Sequence, residues 1–256
     1  MPTAGTVDGL AYLVAGSGPR TVTCLHSLAL SGSWFLPLAA ELGADYRLVL
    51  PDFRGHGRSP AGDRPITLAA LADEVVTVWD ALGIERSAVL GISLGGMVAQ
   101  ALAARHPAKV DRLVLVATTA SFDAAARAGA VQRAAAVRQP GGLAAMSDAL
   151  LTRWFGPGDP PELVERARAQ LVSADPQVHA AVLEAMTEVG SFDLGENPPA
   201  TLVLGAEQDE STPPAVLTAL AGSIPGAVLD VVPGRHLTTF TEPAATAVRV
   251  KAFLEQ

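Results

Sequence analysis

Short apolar runs recur along the chain, and most lead into stretches where apolar residues return every three or four positions. Tyr12–Val14 suits an outer strand. Thr21–Leu25 (TVTCL), Arg47–Leu50 (RLVL), Ala88–Leu90, Arg112–Val116 (RLVLV), Thr201–Leu204 (TLVL) and Ala227–Val231 (AVLDV) predict buried strands. Runs without polar alternation are what parallel strands show when crossover helices cover both sheet faces. The helical stretches are Leu68–Leu82, Leu94–Arg105, Pro214–Ala221 and Ala244–Leu254. In the first, Leu68, Leu71, Val75, Val78, Trp79 and Leu82 share one face, Thr67 suits the N-cap and Gly83 the stop. This alternation predicts an α/β fold with a mostly parallel central sheet flanked by helices.

The rhythm breaks between Thr119 and Asn197. Here FDAAARAGAVQRAAAVRQ, GGLAAMSDALLTRWF, ELVERARAQLV and QVHAAVLEAMTEV predict about four helices, held apart by the breakers around Phe155 to Pro161. The chain thus divides into core residues 1–118, a helical insertion 119–197 and core residues 198–256. The insertion lies over one end of the sheet, either as a lid or as a plain packing layer.

Composition narrows the classes. Apolar residues make up 49 % of the 256 and charged residues 17 %, which excludes a disordered chain. The net charge of -8 with scattered arginines argues against nucleic acid as a partner. No uncharged apolar stretch is long enough for a membrane span. The N-terminus shows no secretory pattern, so the expectation is a cytoplasmic protein, monomer or homodimer. Cys24, the single cysteine, excludes an intramolecular disulfide and reads as a small buried side chain. No phosphate loop and no H-E-x-x-H pair is present, and the five histidines are well separated, so neither cofactor nor metal is expected.

The chemistry sits where a strand run turns into a helix. Gly91-Ile92-Ser93-Leu94-Gly95 is a G-x-S-x-G pattern, with Gly96 following. A serine displayed on so sharp a turn takes a strained backbone, and near neighbours without side chains permit it. Ser93 is therefore the candidate nucleophile. A base and an orienter must follow. His236, in the loop after the last strand run, is the candidate base. His26, at a strand end, is also placed to lie near the site. Asp209 in AEQDESTPP is the preferred orienter over Glu207 and Asp123. The order Ser, Asp, His is the one a serine hydrolase on such a sheet uses. The backbone N–H groups of Leu28 and Leu94 are the candidate oxyanion donors.

PDFRGHGRS (Pro51 to Ser59), GISLGG, AEQDESTPP and GRHLTTFTEP match stations of the α/β-hydrolase family, and the chain resembles that family over most of its length. Within it the chain most resembles 3-oxoadipate enol-lactonases of aromatic-acid catabolism, through HSLALSGSW, SLGGMVAQALAARHP, LTRWFGP, EVGSFDLG and DESTPP. The resemblance implies hydrolysis of a small lactone or ester through an acyl-enzyme. Arg153 and Trp154 then become candidates for holding a compact anionic substrate, against the plainer reading of a solvated arginine and a packing tryptophan. Two departures stand out. His26-Ser27-Leu28-Ala29 replaces the Asn-Ser-Leu-Gly toward which enol-lactonases tend, and the insertion offers no obvious second basic residue beside Arg153. A carboxylesterase, another lactonase, a cofactor-free perhydrolase or haloperoxidase-like enzyme and a carbon–carbon bond hydrolase share the same residues. A ligand-binding protein on a hydrolase scaffold is the alternative from another class.

Overall fold

Among the described residues eight strands form one sheet in the order β1-β2-β4-β3-β5-β6-β7-β8. They are β1 (Thr3–Val7), β2 (Leu10–Ala15), β3 (Arg20–Leu25), β4 (Tyr46–Pro51), β5 (Ser87–Ile92), β6 (Val110–Val116), β7 (Ala200–Ala206) and β8 (Val228–Val232). The computed structural model describes residues 1–190 and 192–256. Pairing is parallel from β4 through β8, whereas β1–β2 and β2–β4 are antiparallel. The α/β architecture is the one expected.

The helices are α1 (Leu36–Leu42), α2 (Leu68–Ala81), α3 (Leu94–Arg105), α4 (Ala124–Val137), α5 (Gly142–Trp154), α6 (Pro161–Ser173), α7 (Pro176–Ala185), α8 (Pro214–Ser223), α9 (Thr238–Thr241) and α10 (Pro243–Leu254). Thr67 caps α2 by accepting from the Ala70 N–H, and Gly83 beyond its end takes φ +65. Among the described residues the helices α4 to α7 lie between β6 and β7. Ser191, in the EVGSFDLG phrase, falls outside the described residues. Among the described residues no helix is long and apolar enough to cross a membrane.

Two strand expectations are corrected. Tyr12–Val14 lies in β2, as expected, but its partner β1 carries no strand signal because TAGTV has weak apolar character. The signal present was Asp8-Gly9, both at positive φ (48 and 81), as a tight two-residue hairpin turn requires. AVLDV is a strand but not a buried one. Its β8 has a neighbour on one side only, so Val228, Leu229 and Val231 stay exposed. Apolar content marks a strand, but its place in the sheet decides burial.

Candidate active site

The turn from β5 into α3 holds Ser93 at φ 54 and ψ -116, a conformation side chains rarely tolerate. Three glycines make room for it. A Cβ on Gly91 would meet the backbone of Gly95, one on Gly95 would meet the Leu25 carbonyl, and one on Gly96 would lie 2.6 Å from the Thr118 side chain. The Ser93 N–H donates to the Val116 carbonyl at 2.9 Å, and the Thr118 hydroxyl donates to the Ser93 carbonyl at 2.8 Å. The strain is thus held by the strand beside it.

The loop after β8 brings His236 to the serine. Its Nε2 lies 2.9 Å from Ser93 Oγ and its Nδ1 lies 2.9 Å from Asp209 Oδ2. An ionised carboxylate only accepts, so Nδ1–H donates to Asp209 and Nε2 is left to accept from the serine hydroxyl. Asp209 follows β7 and is buried. Its Oδ1 accepts from the Ser211 N–H at 2.7 Å and the Thr212 N–H at 3.2 Å, and the Thr212 hydroxyl donates to Oδ2. Burial alone would raise the carboxyl's pKa, but the His236, Thr212 and Ser211 donors outweigh it and leave the pKa below its ordinary value. Glu207 is exposed, and Asp123 is spent capping α4 through the Ala126 N–H at 2.7 Å.

The loop after β3 faces the serine from the other side. Among the described residues neither the Leu28 nor the Leu94 backbone N–H has a hydrogen-bond partner. Ala29 sits at φ +65, so an alanine occupies a left-handed position. The His26 ring is fully buried beneath this loop and does not line the cavity. The Phe53 N–H donates to its Nε2 at 2.9 Å, which places the ring proton on Nδ1, donating to the Ser27 carbonyl at 2.8 Å. Burial, and then the charge of His56, push its pKa down to about 3. His26 therefore holds the loop after β3 to the loop after β4 as a neutral ring. His56 and His179 are buried as well, and His106 reaches Asp73 at 2.8 Å.

A cavity of about 340 Å³ opens above Ser93 and His236. Helices α4, α5 and α7 contribute to its wall, and Arg153 and Trp154 both line it. One residue corrects the sequence reading. Arg133, on α4, also lines the cavity, so Arg153 does have a basic companion. Burial, followed by the charge of Arg153, lowers the Arg133 pKa. Among the described residues neither guanidinium makes an ion pair, and Asp123 is the acidic side chain in the lining. The signal was hidden because Arg133 lies on α4 and Arg153 on α5, with a break in the helical pattern between them, and only packing brings the two together. The insertion is pinned to the core through Trp34. Its Nε1–H donates to Gln170 Oε1 at 2.6 Å, while Arg166 stacks over its ring at 4.2 Å.

A family model described as alpha/beta hydrolase fold matches residues 20–243. A protein of Caulobacter sp. (strain K31) named "Putative carbamate hydrolase RutD" is 32 % identical over 98 % of this chain and 97 % of its own. The 3-oxoadipate enol-lactonase 2 of Acinetobacter baylyi is 30 % identical over 96 % of this chain and 93 % of its own. The crystal structure of the enol-lactonase from Burkholderia xenovorans LB400 superposes with a TM-score of 0.88 at 29 % identity, covering 99 % of this chain and 100 % of that one.

Proposed function

Because the chain belongs to the α/β-hydrolase family and is a carboxylic ester hydrolase, we propose that Ser93, His236 and Asp209 open a small lactone or ester, with 3-oxoadipate enol-lactone as the leading substrate. The observation that carries this reading is the continuous chain from Ser93 Oγ through His236 to Asp209, opening into a cavity that holds Arg133 and Arg153. Ser93 Oγ attacks the acyl carbon as its proton passes to His236 Nε2. The tetrahedral oxyanion is held by the Leu28 and Leu94 N–H groups. Collapse breaks the acyl C–O bond, and His236 returns the proton to the leaving oxygen. In a lactone that oxygen stays tethered to the acyl group. Water, deprotonated by His236, then attacks the acyl-enzyme and releases the ring-opened acid.

Residues 119–197 serve as a helical lid over core parts 1–118 and 198–256. Arg133 and Arg153 bind a carboxylate on the substrate, and Trp154 closes that side against water. A cytoplasmic setting and a place in aromatic-acid catabolism go with this reading. The relative named as a carbamate hydrolase favours a second one, in which the same serine attacks a carbamate carbonyl.

The test is turnover of 3-oxoadipate enol-lactone, a neutral lactone of the same ring size, an acetate ester and a simple carbamate. Wild type, Ser93→Ala, Arg133→Ala and Arg153→Ala are compared. We expect Ser93→Ala to lose activity on every substrate. Each arginine variant should raise KM for the anionic lactone by about tenfold or more and leave the neutral one near wild type. Preference for the carbamate would select the second reading, and activity surviving in Ser93→Ala would overturn both.

A further inference from the structure

Arg235 stands directly before the candidate base, and its side chain turns away from the cavity toward the far side of the α5 terminus. Its Nη1–H donates to the Thr152 carbonyl at 3.1 Å and lies 3.5 Å from Glu210 Oε1. Its stem passes Gly156, where a Cβ would stand 3.5 Å from Nε. On the other side of His236, the Leu237 N–H donates to the Trp154 carbonyl at 3.4 Å. The residues flanking His236 therefore both grip the last turn of α5, where free carbonyls make the helix end partly negative and favour a cation. Thr152 and Trp154 bracket Arg153, which lines the cavity with Trp154. Glu210 follows Asp209 in sequence. One guanidinium thus touches the base loop, the acid loop and the helix that carries the cavity wall.

We propose that Arg235 is a positioning residue that couples the seating of α5 to the alignment of His236 between Ser93 and Asp209. With α5 docked, the two carbonyl bonds fix the histidine loop. With α5 displaced, the loop loses both anchors and the imidazole loses its register on the serine. The proposal rests on the triad reading above. It adds that the lid and the proton relay are one mechanical unit, through a side chain that never meets the substrate.

The test uses Arg235→Ala, Arg235→Met, which keeps the stem, and Arg235→Lys, which keeps a donor for the Thr152 carbonyl. Arg168→Ala is the control. It lies in the same outer groove but pairs with Asp148 and Glu165 on the insertion's own surface. The readouts are kcat and KM on a neutral ester, and the rate at which a small fluorophosphonate labels Ser93, each corrected for folded fraction. We expect kcat and the labelling rate to fall together, by about tenfold or more, in the Ala and Met variants. KM should change less, the Lys variant should recover much of the loss, and Arg168→Ala should match wild type. A folded Arg235→Met with kcat and labelling within twofold of wild type would overturn the proposal. If Ser93 of the wild type is not labelled at all, the triad reading fails first and the coupling falls with it.

Discussion

Replacing His26 by leucine should weaken the protein at neutral pH and weaken it far less in mild acid. The neutral ring accepts from the Phe53 N–H and donates to the Ser27 carbonyl, and it is fully buried. Leucine leaves the Phe53 N–H unsatisfied, at a cost of about 1–3 kcal/mol. The Ser27 carbonyl keeps the Leu30 N–H at 3.2 Å, so only one orphan is created. Acid acts with a definite sign. The unfolded chain protonates His26 below its ordinary 6.5, whereas the folded protein resists until about 3. Wild-type stability from this residue is therefore intact above 6.5 and drains away between 6.5 and 3. At pH 5 the loss is about 2 kcal/mol, at roughly 1.4 kcal/mol per pH unit. His56 and His179 lose stability in the same direction, but they are present in both proteins and cancel in the comparison. Urea unfolding of both proteins at pH 7.5 and pH 5 measures the gap. It should shrink by about 2 kcal/mol at the lower pH, equivalent to a melting shift of about 4–8 °C for a chain of this size. A gap that is the same at both pH values would refute the assignment of His26 as a buried neutral clamp.

Asp209→Asn should fold and bind while kcat drops on the order of 10⁴-fold, because an amide no longer holds His236 in the tautomer that accepts from Ser93. Steady-state kinetics beside circular dichroism would show it, and a loss below tenfold would remove Asp209 as orienter. Gly95→Ala should destabilise by about 1–3 kcal/mol and lower the Ser93 labelling rate, since the added methyl meets the Leu25 carbonyl rather than a flexible side chain. Chemical unfolding reads the first effect and fluorophosphonate labelling the second.

Several features were legible from local chemistry alone. Ser93 was visible because the glycines around it answer a local steric demand at a strand-to-helix turn. Asp209 and His236 were visible because a strand end and a late loop are marked by composition. The helix limits of α2 and α3 came from periodicity and from Thr67 and Gly83, whose effects act within one turn. Such signals depend on near neighbours in sequence, so they survive without a structure.

The remainder depended on which distant segments meet. AVLDV became an exposed edge because nothing pairs beyond β8, and no local pattern encodes a missing neighbour. His26 turned from a residue near the site into a buried clamp because Phe53, from the next strand's loop, supplies the N–H that fixes its tautomer. Arg133 joined Arg153 only when α4 and α5 closed over one cavity, and Arg235 met the end of α5 across 83 residues of chain. The sequence by itself determined most of the elements and the order of the candidate serine, acid and base, because steric and periodic rules are local. The tertiary structure decided which charges share a cavity and which rings stay neutral, because desolvation and charge interaction depend on distance in space.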